Sequence, residues 1–489
     1  MPNKPQVTDL PDNLILQRTS RVGGAFGLGS ACLVLKVFLP ASARVLEYRL
    51  RDHVDPSTTH LGWVTAASYL PAGTHELELI IPAQRAWYLV DIRLDHDDSE
   101  IASTQNRIGA GDVIVVLGQS LAVDFFAATN NDGDIVSIGS LGIVPSPFCA
   151  VLAAWYTDEL HNFPPVWFVP GENGVYRSAF AAEFLSLMVR SSTVNCGLVG
   201  YGRNGQAISQ FAPNTANNDL FKKVVRLSGG RFCALIYIQG HGDSIEMTSS
   251  EQYRDQLTAI IRDLAATFGS FASVYCSIPS LAATTEGLPI AVNRIRAAQI
   301  QFAAESDARA YVAGLDTTLD QQRTPIGVHP NQKGDLTLAQ HFYRSAAKLL
   351  GHGSSAGDEG PIILSAALSD NGRYIDLSIR HTAGTALVGI GAPIDQARQF
   401  KVFRAGTLEQ VLEYDSESPI DLTSPGRIRL KLALPVATGE AIDIWYRLTP
   451  DSPYVIEAGI YDNALDDDGI SRGRQLQLST IPFTIQRTI

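Results

Sequence analysis

The sequence predicts an α/β protein: a parallel sheet covered by helices, with a β-sandwich on its N-terminal side and another on its C-terminal side. Three observations carry this. Between Gly109 and Gly351, short apolar strands alternate with segments of helical period, the pattern of strands buried on both faces. On either side, short runs alternate apolar and polar residues between Pro, Gly and Asp turns, as half-buried strands do. The 489 residues exceed one ordinary core, since domains cluster near ~100 to 200 residues. The expected units are residues 1–108, 109–352 and 353–489.

In the first unit, "ARVLEYRLRDHV", "HELELIIPA" and "AWYLVDIRLDH" read as strands. The glycine-rich "VGGAFGLGSA" is followed by no helical pattern, so it reads as turns rather than a phosphate loop. In the second unit, "VIVVLG", "CGLVGYG", "CALIYIQG" and "SVYCSIP" are expected as buried strands. The segment "EQYRDQLTAIIRDLAATFG" is expected as a helix with Leu257, Ile260, Ile261 and Leu264 on one face. "LPIAVNRIRAAQIQFAAES" and "LTLAQHFYRSAAKLLG" read as further helices. The polar "GHGSSAGDEGP", 351–361, reads as a linker. After it, "YIDLSIRHTAG", "QFKVFRAG", "IRLKLALP" and "AIDIWYRLTP" return to strand alternation.

Composition excludes several classes. With 45% hydrophobic and 18% charged residues, the chain has a globular rather than a disordered composition. A net charge of −12 and the lack of basic runs argue against nucleic acid as a partner. Apolar runs such as "ACLVLKVFLPA" fall short of the ~20 residues of a spanning helix, so no membrane segment is expected. The N-terminus lacks the apolar stretch of a secretory signal. The expectation is a soluble protein that is cytoplasmic or exported by a signal-independent route, with the oligomeric state open. Cys32, Cys149, Cys196, Cys233 and Cys276 are odd in number and suit buried free thiols, and no Cys/His spacing suggests zinc. Around Asp462, "YDNALDDDGISRG" lacks the register of a calcium loop and reads as a solvated acidic turn.

The chemistry concentrates in four loops of the middle unit. They are "GQS" (118–120), "GRNGQAISQF" (202–211), "YIQGHGDS" (237–244) and "GVHPNQKG" (327–334). Ligands of open α/β sheets bind where strands end and helices begin. A serine after the first strand, Gly/Asn and Gln-Gly turns after later ones, and a histidine before the last helix are the parts of an acyl-transfer site. Read alone, Ser120 could simply cap the helix that follows it.

These four ordered blocks resemble those of the SGNH hydrolase superfamily, and within it the sialate O-acetylesterase-like carbohydrate esterases. The resemblance covers Gly109 to about Gly351. It implies a flavodoxin-like domain in which Ser120 is the nucleophile and His329 the base. It also implies an oxyanion hole from Ser120, Gly205 and Gln239. Leu121 stands where the family often has Asn, and His241 where it has Glu after Gln-Gly. Ile326 stands at the family's triad Asp, three before His329. The resemblance therefore implies a Ser–His dyad or a triad completed elsewhere, with Asp243 the first candidate for the orienting acid and Asp316 the second. Tyr237 and His241 read as packing residues.

The implied reaction removes O-acetyl groups from a carbohydrate or polysaccharide, with an acetylated glycan as substrate and no cofactor. Two alternatives are a non-catalytic glycan-binding protein with a degenerate esterase domain, and an esterase acting on lipid or thioester substrates.

Overall fold

The protein is described by a computed structural model covering residues 4–8, 10–19, 27–124, 143–155, 167–170, 179–276, 288–305, 309–312, 332–352, 360–369, 371–381, 384–405, 413–446, 459–463, 477–478 and 483–487. Nine strands open the chain: β1 Gln6–Val7, β2 Leu14–Gln17, β3 Ser30–Leu39, β4 Ala43–Asp52, β5 Thr59–Leu70, β6 Gly73–Pro82, β7 Tyr88–Leu94, β8 Ala102–Ser103 and β9 Ile108–Gly118. β1, β3 and β6 form one antiparallel sheet. β4, β5, β7 and β8 form the next, antiparallel in every pairing. The alternation in "ACLVLKVFLPA" is that of β3, whose Leu33, Leu35, Val37 and Leu39 point inward. They share a core with Leu46, Leu50, Val90 and Ile92 of the second sheet.

The middle region continues with α1 Ser120–Asp124, β10 Cys149–Trp155, β11 Trp167–Phe168, α2 Ala179–Ser192, β12 Asn195–Gly202, α3 Ala216–Leu227, β13 Ala234–Ile238, α4 His241–Ile245 and α5 Ser250–Phe268. It ends with β14 Ala272–Cys276, α6 Leu288–Ala304, β15 Arg309–Val312 and α7 Gln332–Leu350. The sheet order is β11-β10-β12-β9-β13-β14-β15, and every pairing except β10 with β11 is parallel. Without the added β10 and β11, the order β12-β9-β13-β14-β15 is the 2-1-3-4-5 of flavodoxin-like sheets. β9 shows why such strands read as unbroken apolar runs. Val113, Val115 and Leu117 pack on one face with Leu257 and Ile260 of α5 and Ile295 of α6. Ile114 and Val116 pack on the other with Phe180 and Phe184 of α2 and Phe342 of α7.

The expected boundary at residues 108 and 109 falls inside β9. The first half of that strand pairs in parallel with β2, Leu14 opposite Ile108 through Gln17 opposite Gly111. Tyr88 of β7 also pairs with Ile108. The N-terminal strands and the parallel sheet are therefore hydrogen-bonded together and share one core. A buried ionic group reinforces the junction: Arg18 grips Asp112 of β9 with two hydrogen bonds (2.9 and 2.8 Å), and His352, just past α7, meets the same carboxylate at 2.6 Å. Together, Arg18 and His352 hold the Asp112 carboxyl down to about 2 against the opposing pull of burial, which by itself would raise it.

After residue 360 the chain builds a separate core from Ile363, Leu377, Phe400, Val402, Ile428 and Ile442. A five-stranded sheet includes Ile362–Leu368, Tyr374–Arg380 and Arg427–Lys431, and a three-stranded sheet joins Phe400–Arg404, Ala441–Tyr446 and Phe483–Gln486. The expected linker lies largely outside the described residues, as do Asp466, Asp467 and Asp468 of the acidic turn, while Asp462 ends the strand Gly459–Asp462. Cys149, Cys196 and Cys233 are buried free thiols as expected, but Cys32 is exposed. It sits on the outward side of β3, where strand alternation turns every second residue to solvent. Among the described residues, no helix is long and apolar enough to cross a membrane.

Candidate active site

Three of the four loops leave the sheet side by side. In the parallel register Gly118, the last residue of β9, lies opposite Gly202 of β12 on one side and Ile238 of β13 on the other. "GQS", "GRNGQ" and "QGHGD" thus start at one level, at the carboxyl edge where the chain crosses from one side of β9 to the other. Main-chain bonds tie the turns to each other. Gln119 N–H donates to Ile238 O (3.0 Å) and Arg203 N–H to Gly118 O (3.0 Å).

Ser120 is the first residue of α1 and half-buried, while Gln119 before it is 2% exposed. The Gln119 Oε1 accepts from the N–H groups of Gly240 (3.3 Å) and Gly242 (3.2 Å). This amide links the serine turn to the third loop. Sequence reasoning missed that role, although the residue lies inside the "GQS" block itself.

Gly205 is exposed and has φ +68, a left-handed conformation that an L side chain rarely adopts. The backbone just beyond it is held from below. A Cβ on Gly242 would come within 2.8 Å of Gln206 C, Gln206 O and Ala207 N, so α4 packs directly on the main chain of the second loop. Asp243, fully buried, accepts on Oδ2 from Ile208 N–H (2.9 Å). The same oxygen accepts from Nε2 of Gln239, which also donates to Gln206 O (3.1 Å). Burial pushes the Asp243 carboxyl above the usual carboxylate range, against the lowering effect of Gln239 and Ile208.

Gln239 is fully buried and both hydrogens of its amide nitrogen are engaged. The expected oxyanion role would require one of these bonds to open. Its main-chain carbonyl is fixed as well, accepting from Tyr253 Oη (3.1 Å) and from Nε2 of Gln299 (2.7 Å). Gln299 donates in turn to Tyr253 Oη (3.0 Å). The one sequence signal for this pair is a glutamine inside the apolar stripe of α6 between Ile295 and Phe302. Tyr237 and His241 are buried, in keeping with their reading as packing residues.

The structure thus brings Ser120, the Gly205 loop, Gln239 and Asp243 to one edge of the sheet. His329, Ile326 and Asp316 lie outside the described residues.

The parallel α/β sheet thus carries a serine at the end of its central strand, flanked by a glycine turn and a Gln-Gly turn. Residues 172–348 match the family model described as carbohydrate esterase, sialic acid-specific acetylesterase. The chain therefore carries a carbohydrate esterase domain, that of a carboxylic ester hydrolase acting on carbohydrate acetyl groups. The matched segment includes the second and third loops and His329, with Ser120 ahead of it. No curated protein matches the chain. Among solved structures, a carbohydrate acetylesterase from Xanthomonas citri shares the fold over 99% of both chains, with a TM-score of 0.63 and 15% identity. A protein from Arabidopsis thaliana is similar over 49% of this chain and 98% of its own (TM-score 0.39, 15% identity). An acetyl xylan esterase variant from Geobacillus stearothermophilus is similar over 50% and 97% (TM-score 0.32, 10% identity).

Proposed function

We propose that Ser120 is the nucleophile and His329 the base of a serine O-acetylesterase acting on an acetylated carbohydrate. The observation that carries this reading is the level start of the three loops at Gly118, Gly202 and Ile238. It gathers a serine and the left-handed Gly205 turn at the edge where α/β sheets bind ligands. Ser120 Oγ attacks the acetyl carbonyl as His329 takes its proton, and the Ser120 and Gly205 amides receive the oxyanion. Each donor is worth ~3 kcal/mol in the transition state. The protonated histidine then releases the sugar hydroxyl, and water frees acetate from the serine.

Ile326 leaves the histidine without the acid three residues ahead. A backbone carbonyl, a water or an acid from elsewhere then holds its tautomer. We read the flanking β regions as sandwich modules that present a glycan to this edge.

Acetate release from acetylated xylan or acetylated sialic acid, and hydrolysis of a small acetyl ester, test the reading. Ser120→Ala is expected to lower kcat at least ~10³-fold with its thermal unfolding unchanged. Equal rates in wild type and Ser120→Ala would remove the serine from the mechanism. Activity that rises from acetyl to long acyl esters would point to a lipid substrate instead.

A further inference from the structure

We infer that Asp243 is a positioning residue: its carboxylate holds the loop carrying Gly205, through the Ile208 N–H and the Gln239 amide, at the height the oxyanion requires. The inference rests on the proposed serine mechanism and assigns Asp243 a part other than that of the acid behind the histidine.

The connections form a closed set. Oδ2 of Asp243 accepts from Ile208 N–H at 2.9 Å and from the Gln239 amide nitrogen. That nitrogen donates on to Gln206 O at 3.1 Å. Gln206 and Ile208 bracket Ala207, where Gly242 lies against the main chain too closely to carry a side chain. Gln119, beside Ser120, closes the set by accepting from the Gly240 and Gly242 amides. The serine turn and the Gly205 turn are thereby fastened to the same short helix, α4, by buried hydrogen bonds. An exposed left-handed turn such as Asn204-Gly205 has little packing of its own. Its position is inherited from residues 206–208, and these are what Asp243 and Gln239 grip.

The two roles predict different behaviour for one substitution. Asparagine keeps an oxygen where Oδ2 lies and can accept from both Ile208 and Gln239. It cannot stabilise a charged imidazole as a carboxylate does. With an orienting acid, the Asn variant loses ~10⁴-fold in kcat. With a positioning residue, it works within a few-fold of wild type.

The experiment compares wild type, Asp243→Asn, Asp243→Ala and Ser120→Ala in the full chain, by kcat and KM for a small acetyl ester at several pH values and by thermal unfolding. The expected result is that Asp243→Asn keeps kcat and the pH profile, whereas Asp243→Ala loses ~10²-fold in kcat with little change in KM, the effect of one misplaced oxyanion donor. A thousand-fold or larger loss in Asp243→Asn overturns the inference and restores the acid role. Full kcat in a folded Asp243→Ala overturns it as well. Should Asp243→Ala not fold, Gly242→Ala, whose methyl would press on the Gln206 and Ala207 main chain without touching the carboxylate, takes its place. A fall in kcat at constant KM supports the inference, and unchanged kcat overturns it. Unchanged rates in Ser120→Ala would instead remove the serine mechanism, whatever the Asp243 variants do.

Discussion

A methyl group placed on Gly202 would meet Val123 Cγ2 at 2.8 Å and both Gln119 O and Val123 N at 3.0 Å. These atoms belong to the serine turn and α1, so the substitution reports on the site without touching its chemistry. Gly202→Ala is expected to cost ~1 to 3 kcal/mol of stability, as overpacking does. It should also lower kcat ~10²-fold, since a displacement near 1 Å is enough at a reacting centre. Urea unfolding and ester kinetics on the same preparation check both. At this scale the sequence showed the residues but not their bonds. The blocks singled out Ser120 and Gly205 as candidates for the proposed mechanism. That Gln239 donates to Asp243 and Gln206, and that Gln119 bridges to Gly240 and Gly242, was not legible, because buried amides choose partners among whatever tertiary contact places within reach.

Helix α5 shows an element almost wholly legible from its own residues. Ser249 and Gln252 form a reciprocal capping box at its start, and Tyr253, Leu257, Ile260, Ile261 and Leu264 form its buried stripe. Ser249→Ala is expected to lose ~1 kcal/mol, and Leu257→Ala ~2 to 5 kcal/mol from the transfer and cavity terms together. Denaturant midpoints give the comparison, with acetyl ester kcat close to wild type in the capping variant. The same periodicity located α6 and α7 and the strands β9, β12, β13 and β14. It missed α2, where alanines and phenylalanines are buried almost all round between the sheet and α7. A helix without a polar face gives a weak periodic signal.

Across the whole molecule, Arg18, Asp112 and His352 join the N-terminal strands, the central strand and the end of α7. A carboxyl held down to about 2 in the folded chain, against an ordinary value near ~3.9, adds stability that is present above the ordinary value. That stability is lost as pH falls through about 2. The wild type should therefore lose stability between about pH 4 and pH 2, and Asp112→Asn should show a shallower loss over that window. At neutral pH the variant should be less stable by up to ~3 to 5 kcal/mol, the cost of breaking a buried charged group. Thermal unfolding across pH measures both.

By itself the sequence determined most of the strands and helices and picked out the blocks proposed to carry the chemistry. Periodicity, turn residues and short motifs are local properties, and local spacing records them. Only the tertiary structure decided that β9 begins among the N-terminal strands, through pairing with β2 and β7. It alone brought three loops level at Gly118, Gly202 and Ile238. It also turned Asp243 toward Ile208 and Gln239 inside the fold. Pairing register and buried hydrogen bonds join residues far apart in the chain, and their energy depends on which surfaces meet once the chain has folded.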